Sequence, residues 1–356
     1  MHGSGNVHSI NHGKRDTYRI IHRVHLPASS MASSTGVDDT ASPSSPCLTT
    51  PSPDAANISV REYIYFLPYP LPPGTPVPYT PGLPSHNPLD LPTICFEPTS
   101  TLVLTSPNHT FVDIRLFKPQ QPTDSASALP NQAEAGRLEW AFAGFSTSVD
   151  VMQKEGYEEG VRHAVWTHWL DSRYPFGAAI PPDQGDMYPL SADLTLEVGH
   201  AFHPALGAVH GHEELWRDVA VRATPSSSTN NSARTSAKVA VTLRLDNPAA
   251  ALRGLVVRVG QYAQGIVVHG NAVTAERWEY DDSLPLSKIP HQHQQYHHQE
   301  KSTLDHEPPT MYWKRTARIG DAYVPCPVTF RPEVLEVGAR VRCGANVWEV
   351  EEVWEW

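Results

Sequence analysis

Apolar and polar residues alternate with a period of two in many short segments of this sequence, and this pattern limits the possible fold more than any other feature. The clearest segment is Lys238–Asp246, and another is Thr110–Phe117, where Asp113 and Arg115 separate apolar neighbours. Successive side chains of a strand point to opposite faces, so each segment predicts a strand with one buried face and one face in water. No amphipathic helix of about twelve or more residues is indicated. The sequence therefore predicts an all-β fold.

The strand-like segments form two blocks, residues 58–190 and residues 191–356. Neither block contains helices that would cover the edge of a sheet, and closing a sheet on itself removes its edges. The two blocks therefore predict two antiparallel β-barrels in tandem. In the last strand, Trp348, Val350, Trp354 and Trp356 share one parity, which predicts that they lie on one face.

Proline-rich and polar segments mark the parts of the chain predicted to lie outside the barrels. There are 34 prolines among 356 residues. Residues 1–57 are rich in Ser, Thr and Pro and predict a disordered leader, whose Ser-Pro and Thr-Pro pairs suit a proline-directed kinase. A solvated tail that is never modified is the alternative interpretation. Residues 68–92 form a proline-dense excursion, and residues 283–309 predict a disordered His/Gln-rich insert.

Net charge and cysteine content restrict the partners and the compartment. The formal net charge is -11, whereas nucleic-acid and membrane-surface binders present a basic face. The four cysteines are scattered without a CxxC pair, which fits a reducing compartment. No signal peptide or apolar segment of membrane-spanning length is indicated. We therefore expect a cytoplasmic and nuclear protein that binds no nucleic acid and does not insert into membranes.

Histidines and acid pairs are the candidates for chemistry. One group of histidines lies in the insert and another in a predicted hairpin: His291, His293, His297 and His298, and His200, His203, His210 and His212. Zinc or nickel binding by the insert stays open, but a specific site needs fixed geometry, and surface histidines are the alternative. Adjacent acids such as Glu213 and Glu214 point to opposite sides of a strand and make a poor acid/base pair. No G-x-S-x-G elbow or phosphate-binding loop is present. The sequence predicts no catalytic, cofactor-binding or metal-binding residue, no cofactor, and a protein that is not an enzyme.

Nine tryptophans leave two interpretations open. They fill the interiors of the barrels, or they line a cavity that holds a small apolar ligand.

Five motifs occur in an order and at a spacing similar to those of a known family. They are Leu138–Gly144, His168–Asp171, Glu214–Trp216, Gly254–Gly260 with Gln264 and Gly265, and Asn346–Val350. In these motifs the chain resembles the fungal Hri family, over roughly residues 58–356. The resemblance implies tandem lipocalin-like, calycin-type barrels and association with a casein kinase I-type protein kinase in the cytoplasm and nucleus. It implies no enzymatic activity and supplies no catalytic residues.

The leading hypothesis is thus a non-catalytic interaction protein that associates with a casein kinase I-type kinase. A lipocalin-like carrier that binds a small apolar ligand in a barrel cavity is the alternative. Metal binding by residues 283–309 is a third hypothesis.

Overall fold

A computed structural model of the protein describes residues 7–12, 16–21, 52, 55–66, 97–119, 129–151, 160–203, 208–225, 236–281 and 312–356. The strands are β1 (Val7–His12), β2 (Asp16–Ile21), β3 (Asn57–Phe66), β4 (Thr99–Thr105), β5 (Thr110–Phe117), β6 (Leu138–Asp150), β7 (Arg162–Asp171), β8 (Asp183–Pro189), β9 (Leu194–His203), β10 (Ala208–Asp218), β11 (Thr224–Pro225), β12 (Ser236–Ala237), β13 (Val239–Asn247), β14 (Leu252–Val259), β15 (Tyr262–His269), β16 (Ala272–Tyr280), β17 (Trp313–Ile319), β18 (Arg340–Cys343) and β19 (Asn346–Glu355). Short 3-10 helices span Ala135–Arg137, Pro248–Ala250, Cys326–Phe330 and Pro332–Val334. Within these ranges, no helix has the length and apolar character needed to cross a membrane.

Strands β3 to β10 form a closed, eight-stranded antiparallel barrel. Each strand pairs with the next one along the chain, and β10 closes the barrel by pairing with β3. The connectivity is therefore up-and-down, the simplest way to remove both edges of a sheet. The prediction of an all-β protein with a barrel in its first half is confirmed.

The first barrel extends further along the chain than the sequence blocks indicate. The predicted border between residues 190 and 191 lies between β8 and β9, inside the barrel, because β9 and β10 supply its last two strands. The turn after Pro189 resembles any other hairpin turn in the sequence, so it carries no sign that the sheet continues beyond it. The barrel ends at Asp218.

The second block forms a sheet that does not close on itself among the described residues. Its strand order is β1-β2-β18-β19-β13-β14-β15-β16-β17, so the prediction of two barrels in tandem is confirmed in part. The chain between β17 and β18 crosses one face of this sheet and adds Val328 and Phe330 to its core. Pro325, Pro327 and Pro332 prevent that crossing segment from pairing as a strand, because proline lacks the backbone donor of a ladder.

Two strands lie within the leader that the sequence predicts to be disordered. β1 pairs with β2, and β2 pairs with β18, with Tyr18 opposite Cys343. The edge of β18 offers backbone N–H and C=O groups that the sheet itself leaves free, and a second strand satisfies them. The stretch 68–92 and the insert 283–309 lie outside the described residues.

The barrel and the second sheet share an apolar contact layer. Side chains on the outer surface of β4, β5 and β6, among them Val112 and Ile114, pack against Leu255 and Ile266 of the sheet. Polar bonds cross this layer as well, because Arg277 Nη2 donates to the carbonyl of Ile114 over 2.8 Å. The outer face of the barrel wall is therefore core, and it does not meet water here.

This layer changes the meaning of the alternation in β5. The sequence predicts Asp113 and Arg115 to face water, but they are 2% and 7% exposed. Since Val112 and Ile114 bury themselves against the second sheet, the residues of opposite parity point into the barrel.

The last strand also departs from strict alternation. Leu243 pairs with Val350 whereas Thr242 pairs with Glu352, so Glu351 is an extra residue in β19. Such a bulge reverses the parity beyond it. Trp348 and Val350 consequently lie in the core of the second sheet, whereas Trp354 packs in the contact layer, which corrects the prediction of one shared face.

Candidate functional site

Charged side chains occupy the interior of the first barrel. We call Arg61, Glu97, Asp113, Arg115 and Glu214 the lumen cluster, and all five are buried. Arg61 lies 2.7 Å from Glu97 and 3.1 Å from Glu214. Arg115 lies 2.9 Å from Asp113 and 3.5 Å from Glu214. Glu214 therefore joins the two guanidinium groups into one network.

The network shifts the protonation of its carboxyl groups in opposite directions. Burial disfavours the ionised form of Glu214, but the charges of Arg61 and Arg115 outweigh it and lower the pKa to about 2. Burial raises the pKa of Asp113 even though Arg115 lies beside it. Glu214 is thus the ionised anchor of the cluster, and Asp113 is the carboxyl group whose charge is least well compensated.

A second group lies next to the lumen cluster. The indole N–H of Trp216 donates to Glu197 Oε2 over 2.8 Å. His212 Nε2 lies 3.9 Å from Glu197 and 3.7 Å from Glu214. Burial lowers the pKa of His212, but the neighbouring carboxylates outweigh it and leave the pKa above the usual value. Burial also raises the pKa of Glu197.

A bulge in β7 adds His168 and Asp171 to the interior. Gly144 pairs with His168 while Ala143 pairs with Leu170, so Trp169 is the extra residue. A Cβ atom on Gly144 would lie 1.9 Å from the carbonyl oxygen of Thr167, so only glycine fits there. His168 Nδ1 lies 2.9 Å from Asp171 Oδ2, a contact that a regular strand would prevent at this spacing.

A cavity of about 200 Å³ lies inside the barrel beside these groups. Its lining comprises Asn57, Ser59, Val103, Thr105, Phe111, Asp113, Arg115, Phe142, Trp166, Asp183, Met187, Thr195, Glu197, Trp216 and Asp218. Asp113 Oδ1 and Glu214 Oε2 have no hydrogen-bond partner among the described residues. Buried oxygens of this kind are rare, and each one can still accept a hydrogen bond.

The structure separates the histidines and acids that the sequence singles out. His212 points into the barrel, where it pairs with Glu197 and Glu214, and the insert histidines lie outside the described residues. Within the described ranges, no three His, Cys, Asp or Glu side chains are placed to hold a metal ion. Glu213 and Glu214 do point to opposite sides of β10, but both are buried.

The tryptophans divide among three environments, so neither interpretation of them holds for all. Those inside the first barrel are Trp140, Trp166 and Trp216. Those in the core of the second sheet are Trp278, Trp313 and Trp348. Those in the contact layer are Trp169, Trp354 and Trp356.

Sequence reasoning missed the lumen cluster because charged residues on alternating strands usually face water. Arg61 and Glu214 are far apart in sequence, and only closure of the barrel, in which β10 pairs with β3, brings them together. The signal that was available is the charge inside strongly β-forming segments, namely Asp113 and Arg115 in β5.

Comparison with known proteins gives a family. Residues 89–352 match the family described as Protein HRI1. The crystal structure of the uncharacterized protein YLR301w from Saccharomyces cerevisiae is similar, with a TM-score of 0.48 and 17% sequence identity, covering 84% of this chain and 99% of that chain. No curated protein matches the sequence. Because the family match extends over more than half of the chain, this protein belongs to the HRI1 family.

Proposed function

We propose that this protein is a non-catalytic binding protein whose first barrel holds a small molecule. The observation that carries the proposal is the cavity of about 200 Å³ in the barrel interior. A dry cavity of about 150 Å³ accommodates benzene, so this one suits a molecule slightly larger than one aromatic ring.

The lining favours a polar ligand over the apolar one expected from the sequence. Asp113, Arg115 and Glu197 border the cavity together with Trp166 and Trp216. A purely apolar occupant leaves Asp113 Oδ1 without a hydrogen-bond donor, which costs free energy for a buried carboxylate oxygen. A ligand with one apolar part and one polar group satisfies both kinds of wall.

Native mass spectrometry of the full chain, gently purified from the cells that make it, tests this proposal. We expect an adduct of small mass that acid denaturation releases. Val103→Trp fills the cavity and should abolish the adduct, whereas Val209→Trp, at a position 65% exposed, should keep it. Equal adducts on both variants would place the molecule elsewhere and contradict the proposal.

Association with a casein kinase I-type kinase is our second proposal, and family membership supports it. The barrel and the second sheet would present their loops to the kinase, and residues 1–57 offer Ser-Pro and Thr-Pro pairs for phosphorylation, in the cytoplasm or the nucleus. Mixing the purified protein with its own organism's casein kinase I, with and without residues 1–57, tests it. Binding by neither form rules it out.

A further inference from the structure

The acids that line the cavity outnumber the bases. Of the described residues, Asp113, Asp183, Glu197 and Asp218 border it, and Arg115 is the one basic residue in its lining. Asp113 and Glu197 are buried, whereas Asp183 and Asp218 are more exposed, so carboxylates occur both deep in the barrel and toward solvent. Such an arrangement attracts cations and repels anions.

Arg115 does not offset this charge for an incoming ligand, because its guanidinium is already engaged. It lies 2.9 Å from Asp113 Oδ2 and 3.5 Å from Glu214 Oε1. The guanidinium carbon of Arg115 also lies 5.0 Å from the centre of the Trp140 ring and 5.2 Å from the centre of the Phe142 ring. An anionic ligand would have to compete with two buried carboxylates for this one guanidinium.

One of the lining residues, Asp113, has a carboxylate oxygen that still needs a donor. Asp113 is 2% exposed, and its Oδ1 has no hydrogen-bond partner among the described residues. A buried carboxylate oxygen without a donor costs free energy, which a ligand N–H group recovers. Burial raises the pKa of Asp113, and a ligand cation beside it would favour the ionised form again.

The aromatic residues of the lining suit the apolar part of a cationic ligand. Phe111, Phe142, Trp166 and Trp216 line the same cavity. Aromatic faces attract cations as well as apolar groups, as the position of Arg115 against Trp140 already illustrates.

We propose that the first barrel binds a small organic cation, a protonated primary amine attached to an apolar group about the size of one aromatic ring. Its ammonium group donates to Asp113 Oδ1, and its apolar group packs against Phe111, Trp166 and Trp216. This inference rests on the proposal that the barrel holds a small molecule, and it adds the chemical class.

Three probes of one shape separate charge from size: benzylammonium, benzyl alcohol and benzoate. Calorimetric titration of the full chain at pH 7 should give affinity for benzylammonium at least about tenfold above that for benzyl alcohol, with no binding of benzoate. In NMR spectra of the wild type, the indole signals of Trp166 and Trp216 should shift on addition of the amine, whereas that of Trp313 should not.

Asp113→Asn should lower affinity for benzylammonium about tenfold and leave benzyl alcohol unaffected. Asp150→Asn is the matched control, because that side chain is 78% exposed on the wall of the same barrel. Should Asp113→Asn fail to fold, Asp183→Asn at the more exposed end replaces it, with a loss of a few fold expected.

The outcomes distinguish the two proposals. Binding of benzyl alcohol or benzoate as tight as that of the amine overturns the cation inference but leaves the ligand-holding barrel in place. Binding of none of the three probes, together with no adduct in native mass spectrometry, overturns both. Amine binding that Asp150→Asn weakens as much as Asp113→Asn also contradicts the assigned site.

Discussion

The interior of the first barrel and the core of the second sheet are built from the same alternating strands, yet they contain opposite chemistry. The barrel interior holds the lumen cluster and a cavity of about 200 Å³. The second core is mostly apolar, with the buried guanidinium of Arg258 over the Trp313 ring, and there Trp313 stacks on Phe330 with ring centroids 4.2 Å apart. Alternation therefore identifies which residues share a face, but the packing partner of each face decides whether that face is polar.

The contact layer explains how the barrel tolerates a charged interior. Its strands bury Val112 and Ile114 on their outer surface, against Leu255 and Ile266 of the second sheet. Burial of apolar surface in this layer stabilises the fold by roughly 25 cal/mol per Å². Because the strands gain this stability on their outer surface, their inner surface does not have to be apolar. The second sheet has apolar residues on both faces, because one face forms this layer and the other forms its own core.

The largest effect should come from removing a side chain in the apolar core. Trp348 is 1% exposed, and truncation by Trp348→Ala leaves a large cavity. We expect a loss of about 4 kcal/mol in the free energy of unfolding, measured by urea denaturation. Val337→Ala is the control, since Val337 is 64% exposed and its truncation should cost less than about 0.5 kcal/mol. Similar losses for both would show that the second core is loosely packed.

A slightly smaller effect is expected from the charged interior. Glu214→Gln removes the carboxylate shared by Arg61 and Arg115 and should cost about 3 kcal/mol at pH 7. Glu62→Gln is the control, because Glu62 forms an exposed ion pair with Arg217, and its loss should cost less than about 1 kcal/mol.

The pH dependence of the same variant gives a second measurement. The pKa of Glu214 is lowered to about 2 in the folded protein, so its contribution to stability is present above the ordinary pKa of 4.5. That contribution falls away as the pH drops from 4.5 toward 2. The difference in free energy of unfolding between wild type and Glu214→Gln should therefore become smaller over this range. A constant difference would argue against an ionised Glu214 in the cluster.

A third comparison adds volume to the apolar core. A Cβ atom on Gly254 would lie 2.4 Å from the Trp348 ring, and the ring is enclosed, so Gly254→Ala should cost about 2 kcal/mol. Gly136→Ala introduces the same methyl group where nothing lies within 4 Å, and it should be neutral or slightly stabilising. Thermal unfolding of the two variants checks the difference. Equal melting temperatures would mean that the Trp348 ring moves aside freely.

The smallest effect concerns Glu213, which lies next to Glu214 but on the other side of β10. Neither of its carboxylate oxygens has a hydrogen-bond partner among the described residues, and burial raises its pKa to about 7. Because the folded pKa is raised, the contribution of Glu213 to stability is most favourable below pH 4.5 and is lost as the pH rises through 7.

Glu213→Gln should remove this loss and raise stability at pH 8 by about 1 kcal/mol, with little effect at pH 4. Unfolding measured at both pH values tests it, with the exposed Glu355→Gln as the control. A variant less stable than wild type at pH 8 would contradict the assignment of Glu213 as an uncompensated carboxylate.

Much of the fold could be predicted from local pattern, whereas the site could not. The strands β5 and β13 are evident in the sequence because period-two alternation is a local property. Closure of the first barrel and the position of its border depend on pairing between β3 and β10, whose registers join residues more than a hundred positions apart. The bulges at Trp169 and Glu351 reverse parity without a distinct sequence signal, and the second one moves Trp354 from the face that alternation predicts for it.

By itself, the sequence determined that this protein is all-β, which residues share a face in strands without a bulge, and that its five motifs belong together in one family. Tertiary structure alone decided which face of β5 is enclosed by the barrel and which by the second sheet. The physical reason is that burial depends on what packs against a face. Asp113 and Arg115 alternate with apolar residues as side chains at a solvent-exposed surface do, and it is the second sheet on the opposite side of β5 that places them inside the barrel, beside its cavity.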